Sequence, residues 1–89
     1  MPSTFTKDPD ATLDYQIDWS SWLGSDTIST STWTVPSGIT KDSDTASTTT
    51  TTIWVSGGTA GTSYELVNRI VTAAGRTDDR TIQINVREK

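Results

Sequence analysis

Tyr64-Glu65-Leu66-Val67-Asn68-Arg69-Ile70, the connection Ala73-Ala74-Gly75-Arg76-Thr77, and Ile82-Gln83-Ile84-Asn85-Val86 form the stretch that decides the fold. Tyr64, Leu66 and Ile70 fall on alternate positions, as do Ile82, Ile84 and Val86. A two-residue period places one set of side chains in a core and the other in water, which is the signature of β-strands. Two such runs joined across a glycine turn predict an antiparallel hairpin.

The same period recurs upstream. Leu13, Tyr15, Ile17 and Trp19 alternate with Asp14, Gln16 and Asp18, giving a strand with one wet face. Trp19, Trp22 and Leu23 then have the i, i+3, i+4 spacing of one helical turn near residues 19–23, with Asp18 placed to cap it and Gly24 to end it. Residues 27–35 return to β character, but Ile28 is out of phase with Trp33 and Val35, so this strand should carry a bulge. Pro36-Ser37-Gly38 reads as a turn and Lys41-Asp42-Ser43-Asp44 as a polar loop. The threonine tract from Ser47 to Thr52 runs into Ile53-Trp54-Val55, a strand with Ile53 and Val55 inward and Trp54 facing the other way.

Short strands at intervals of roughly 8 to 12 residues, with no long helical pattern, point to an all-β sandwich of six or seven antiparallel strands. Composition agrees: 19 threonines and 11 serines in 89 residues favour a pleated, half-exposed surface over a helix. A chain this short buries only about 60% of its unfolded surface and forms one domain. Without cysteine it has no disulfide framework, so packing and strand pairing must hold it. Residues 1–12 are polar, contain Pro2 and Pro9, and read as an N-terminal arm ahead of a domain spanning 13–89.

Function classes narrow by what is missing. The net charge of −4 and the scatter of seven Lys and Arg give no basic stripe for a nucleic acid. No run of 18 apolar residues suggests a membrane span, and the N-terminus lacks the apolar segment of a signal peptide. With no histidine or cysteine and only two glutamates, the sequence offers no activated nucleophile, so it reads as a binding or structural module and not an enzyme. Asp14 and Asp18 share a wet face but lie about 13 Å apart by strand rise, too far for a tight acid pair. Asp8, Asp10, Asp42, Asp44, Asp78 and Asp79 read as loop carboxylates with turn chemistry, because their spacing lacks the glycine and bidentate glutamate of a calcium loop. No cofactor or metal is expected.

Of the four tryptophans, Trp19, Trp22 and Trp33 are expected in the core, since each lies on an apolar face. Trp54 is the candidate docking residue. Lys7-Asp8-Pro9-Asp10 is a second candidate contact, packing on a neighbouring subunit or across its own sandwich, because Pro9 stiffens an extended, charged segment.

Gly61-Thr62-Ser63-Tyr64 and the hairpin after it resemble the closing hairpin of immunoglobulin-like, fibronectin-III-like and PKD-like domains, which implies that Tyr64 forms a tyrosine corner. A wider resemblance rests on Lys7-Asp8-Pro9-Asp10, on Leu13-Asp14-Tyr15 through Ile17-Asp18-Trp19, on Trp22-Leu23-Gly24, on Trp33-Thr34-Val35-Pro36 and on the Gly75-Arg76-Thr77 hairpin. This set resembles a family of small phage and prophage proteins of the fiber-tail adaptor type. The resemblance implies a structural virion protein of a tailed phage or prophage, assembled in the bacterial host cytoplasm. It would link tail or neck to fibers through other virion proteins, with a homo-oligomer as one arrangement in the particle. The alternative from a different class is a carbohydrate-binding or adhesion module that recognises a surface glycan, which would need at least two aromatics on one exposed face.

Overall fold

The computed structural model describes residues 3–87. Seven strands and one helical turn follow in the order β1 (Ser3–Lys7), β2 (Leu13–Asp18), α1 (Ser20–Leu23), β3 (Ile28–Thr34), β4 (Ile39–Ala46), β5 (Thr50–Gly57), β6 (Ser63–Thr72) and β7 (Thr77–Val86). They make two sheets, β1-β7-β6-β3 and β2-β5-β4, packed as a sandwich. The order β2-β5-β4 facing β3-β6-β7 matches the B-E-D and C-F-G strands of immunoglobulin constant-type domains, with β1 set beside β7.

The deciding hairpin forms as its alternation requires. In β6, Tyr64, Leu66, Asn68, Ile70 and Thr72 are buried, and in β7 Ile82, Ile84 and Val86 join them. Facing them from the other sheet are Tyr15, Ile17, Ile53 and Val55. The register of β3 against β6 shifts between Ile28 and Thr30, which accounts for the phase break at Ile28. Leu23 of α1 is buried, so the helical turn closes one end of the sandwich. The N-cap is Trp19, without a side-chain cap bond, and not Asp18 as expected; Asp18, one residue earlier, accepts the Ser20 N–H on Oδ1 at 2.9 Å, and Gly24 ends the turn at φ 63°.

Trp19 and Trp33 are buried, while Trp22 is half-buried and meets the Trp19 ring edge-on at 5.6 Å. Trp33 lies on β3, the strand that carries a buried tryptophan in immunoglobulin domains. The Tyr64 hydroxyl accepts the Thr59 N–H at 3.0 Å, five residues upstream, in the geometry of a tyrosine corner.

Three expectations need correction. First, Lys41-Asp42-Ser43-Asp44 is part of β4 and not a loop, because a register shift between Lys41 and Ser43 lets the polar run stay paired with β5. Second, Asp78 and Asp79 lie within β7, where Asp79 faces Arg69 across the hairpin and accepts from its Nε and Nη2 at 2.8 and 3.0 Å. Third, the expected arm supplies a strand: β1 pairs with β7, in parallel where every other pair is antiparallel. The alternation Phe5, Lys7 against Thr4, Thr6 turns the first two inward, and Phe5 stacks on Tyr15 at 4.8 Å. Residues 1–2 of the expected arm and 88–89 of the expected domain lie outside the described residues.

One polar hub ties the closing hairpin to the loop after α1. The carboxylate of Asp26 accepts the N–H of Thr27, the N–H of Ala74 and Arg76 Nε at 2.8, 3.2 and 3.1 Å. Arg76 also donates to the Leu23 carbonyl at 2.9 Å and covers the Trp22 ring at 4.3 Å. Hydrogen bonds from the Thr72 side chain, Thr27, Arg76 and Ala74 outweigh the opposing burial and lower the Asp26 pKa from 3.8 to about 2. A depressed carboxyl pKa stabilises the fold above the unfolded value, and that stability is lost as pH falls towards the folded value. The urea midpoint of wild type should therefore exceed that of Asp26→Asn at pH 5, and the gap should close as pH falls from 3.8 towards 2. A gap that stays constant down to pH 2 would remove the charge from the account.

Candidate functional site

The outer face of the β2-β5-β4 sheet is built around Trp54. It sits on the central strand β5 between inward Ile53 and Val55, so the pleat forces its ring outward. At 40% exposure it is the exposed large hydrophobic side chain among the described residues. Asp14 of β2 and Ser43 of β4 stand directly opposite it in register, with Gln16, Thr52 and Thr45 in the next row. A bulky aromatic left in water on a central strand adds nothing to the core, whereas at an interface it can bury a large rigid surface.

Charge on this face is one-sided. The shifted register of β4 brings Asp42 to Ser56, whose hydroxyl donates to Asp42 Oδ1 at 3.0 Å. Lys41 is engaged by Asp44 at 3.1 Å, a partly exposed pair worth little in stability. The carboxylates of Asp14, opposite Trp54 in register, and of Asp42, held by Ser56, therefore lie on the Trp54 side of the sheet, and the charge of Asp42 also acts on Lys7.

Of Lys7-Asp8-Pro9-Asp10, the structure turns Lys7 into its own sandwich and leaves Asp10 exposed. The Lys7 side chain is fully buried, and Nζ donates to the carbonyls of Gly57 at 2.7 Å and Asp8 at 2.8 Å. Burial lowers its pKa, while the charges of Asp8, Asp10 and Asp42 pull it back up. Lys7 is thus an internal latch between β1 and the end of β5, and its head group is not presented to a partner. Inward parity with Phe5 dictates this placement. Asp8 Oδ1 accepts the Asp10 N–H at 2.8 Å and the Asp8 carbonyl accepts the Ala11 N–H at 3.1 Å, a turn that leaves Asp10 exposed and Pro9 half-buried.

Sequence reasoning passed over Asn68. It is fully buried, its Oδ1 accepts Trp19 Nε1 at 3.1 Å and the Thr51 hydroxyl at 2.7 Å, and its Nδ2 donates to Ser31 Oγ at 2.9 Å and the Thr32 carbonyl at 3.2 Å. Every hydrogen-bonding position of the amide is used. The signal was available: Asn68 is the polar member of the inward series Tyr64, Leu66, Ile70. Arg80, whose guanidinium covers the Trp19 ring at 4.3 Å and donates to the Asp18 carbonyl at 3.1 Å, carried no such signal.

Among the described residues no group of three or more His, Cys, Asp or Glu could hold a metal ion. An open groove beside β7 is lined by polar Thr62, Ser63, Gln83 and Asn85, with the Ser63 hydroxyl spent on Asn85 at 2.6 Å. No helix of the described residues is long and apolar enough to cross a membrane.

The fold is an all-β sandwich whose three-stranded sheet carries an exposed tryptophan beside a carboxylate on its outer face. The chain belongs to the family described as podophage GP4 fiber-tail adaptor protein gp77, whose profile matches residues 7–85. It is therefore a phage fiber-tail adaptor, a structural component of the virion, and its family is one of structural adaptors and not of enzymes. Comparison with curated proteins gives no match. The match begins at Lys7 and takes in both sheets, so β1's latch and the Trp54 face lie inside the family's own span.

Proposed function

We propose that this domain links the tail or neck of a podophage particle to its fibers, and that the Trp54 face is where a neighbouring virion protein docks. The observation that carries the reading is the exposure of Trp54 on a central strand, framed by Asp14, Ser43 and Thr52. Aromatic side chains at the centre of a polar patch are typical anchors of protein interfaces, each worth about 2 kcal/mol or more when removed. Pro9 and exposed Asp10 follow Lys7, whose Nζ binds the Gly57 carbonyl at the end of β5, and are proposed as a second contact. A glycan platform needs a second aromatic beside the first, and Trp54 stands without one among the described residues. That favours the adaptor over the adhesion module.

The test uses Trp54→Ala. Its thermal melting should stay within about 2 °C of wild type, because a half-exposed ring contributes little to the core. Incorporation into particles, measured by mass spectrometry of virions from a complemented deletion, should fall at least tenfold. A large drop in melting temperature would move Trp54 into the core, and normal incorporation would move the docking site elsewhere.

A further inference from the structure

Four strands have an open edge: β1 and β3 in one sheet, β2 and β4 in the other. Exposed edges invite pairing with another chain, and proteins guard them with charge, bulges and brevity. Three are guarded here. β2 carries Asp14 and Asp18, β4 carries Lys41, Asp42 and Asp44 with a shift in register, and β1 is five residues long. β3 alone holds no ionisable side chain. Its first residue is closed off, since the Ile28 N–H donates to the Thr48 carbonyl at 2.9 Å and the irregularity lies between Ile28 and Thr30. From Thr30 to Thr34 the strand is regular, neutral and rich in threonine.

Sequence adds a second property. Thr30-Ser31-Thr32-Trp33-Thr34 is nearly symmetric about Thr32, with threonine at both ends and at the centre. The Thr32 carbonyl is turned towards β6, where it accepts from Asn68 Nδ2 at 3.2 Å. Backbone groups alternate sides along an antiparallel strand, so Ser31 and Trp33 present their N–H and C=O to the open edge. A second copy running antiparallel about Thr32 would exchange backbone hydrogen bonds through Ser31 and Trp33. Its Thr34 would then lie opposite Thr30, and the two Thr32 residues would face each other. Like-charged chains of −4 each resist association, and β3 is the edge where no charged side chain is brought opposite its own copy.

From this we infer that β3 is a homotypic edge, through which two copies of the chain join their four-stranded sheets into one continuous sheet across a twofold axis. The contact is distinct from the Trp54 face on the opposite sheet, so it holds or fails independently of the docking reading.

The chain has no cysteine, which makes the test direct. Facing residues in an antiparallel pair without mutual hydrogen bonds have Cα atoms about 4.5 Å apart, within the span a disulfide bridges. Purified full-length Thr32→Cys, oxidised at about 200 μM, should give a disulfide dimer at least tenfold faster than Thr45→Cys, an exposed position on the β4 edge. Adding Thr30→Lys and Thr34→Lys to Thr32→Cys places lysines opposite each other and should bring the rate down to that of Thr45→Cys, with melting unchanged. Equal rates for Thr32→Cys and Thr45→Cys, or an undiminished rate in the lysine variant, would overturn the inference.

Discussion

Asn68→Ala is expected to cost about 4 kcal/mol, read as a lower urea midpoint with an unchanged slope. Asn68 joins strands of both sheets to the residue before α1: Thr51 on β5, Ser31 and Thr32 on β3, and Trp19. Removing the amide leaves the Trp19 indole N–H and the Thr51 hydroxyl buried and without the oxygen that accepts from both. Each buried donor left unsatisfied costs about 1–3 kcal/mol, and the cavity adds to this. Trp19 Nε1 keeps only a long contact to Thr51 Oγ1 at 3.3 Å. Against a total stability of about 5–15 kcal/mol, such a loss leaves a small domain near its limit. Asn68→Ala and Thr51→Val should also be strongly non-additive, since they remove the same bond. A cost below about 1 kcal/mol would mean that the hub is decoration on an apolar core. The consequence reaches the proposed function, because Thr51 lies on the strand that presents Trp54, so the hub holds the sheet on which the proposed docking residue stands.

How much of this could be read beforehand follows from where side-chain period was informative. The β6–β7 hairpin was legible because Tyr64, Leu66, Ile70, Ile82, Ile84 and Val86 obey one rule, with Asn68 as the polar exception among them. The turn at Trp19–Leu23 was legible because its spacing changes from two to three and four. β4 was not, because Lys41-Asp42-Ser43-Asp44 has no apolar residue to mark an inward side, and a strand that carries a register shift at an edge needs none. Strand β1 escaped for a different reason. Its parity is correct, but one of its two inward residues is a lysine, which by residue type belongs outside. Only the carbonyls of Gly57 and Asp8, distant and adjacent in sequence respectively, make that position tolerable. Trp54 was legible as outward by its two neighbours, whereas its acidic frame depended on register between three strands, which no local pattern contains.

Gly58→Ala should be the second most damaging small change, costing about 3 kcal/mol, or a fall in melting temperature of roughly 15 °C. Gly58 has φ 96°, and a Cβ built there would stand 2.8 Å from Val86 Cγ2 and 3.5 Å from the Tyr64 ring. Gly61, at φ 85°, would meet nothing within 4 Å. Both substitutions incur the left-handed backbone penalty of about 1–2 kcal/mol, so the difference between them isolates the collision. Relief cannot come cheaply. Val86 is buried, its N–H and carbonyl are bonded to Thr62 and Gly61 at 3.0 and 2.7 Å, and the loop on the other side is held by the Thr59 bond to Tyr64. The same loop begins at Gly57, whose carbonyl receives Lys7, so displacing it should also loosen β1 and raise amide exchange across Thr4–Lys7. Val86→Ala should recover part of the loss in the double variant, leaving a total smaller than the sum of the two single costs. Were Gly58→Ala to melt no lower than Gly61→Ala, the close approach to Val86 would not be what selects glycine, and the loop would have to be regarded as free to move away from the latch.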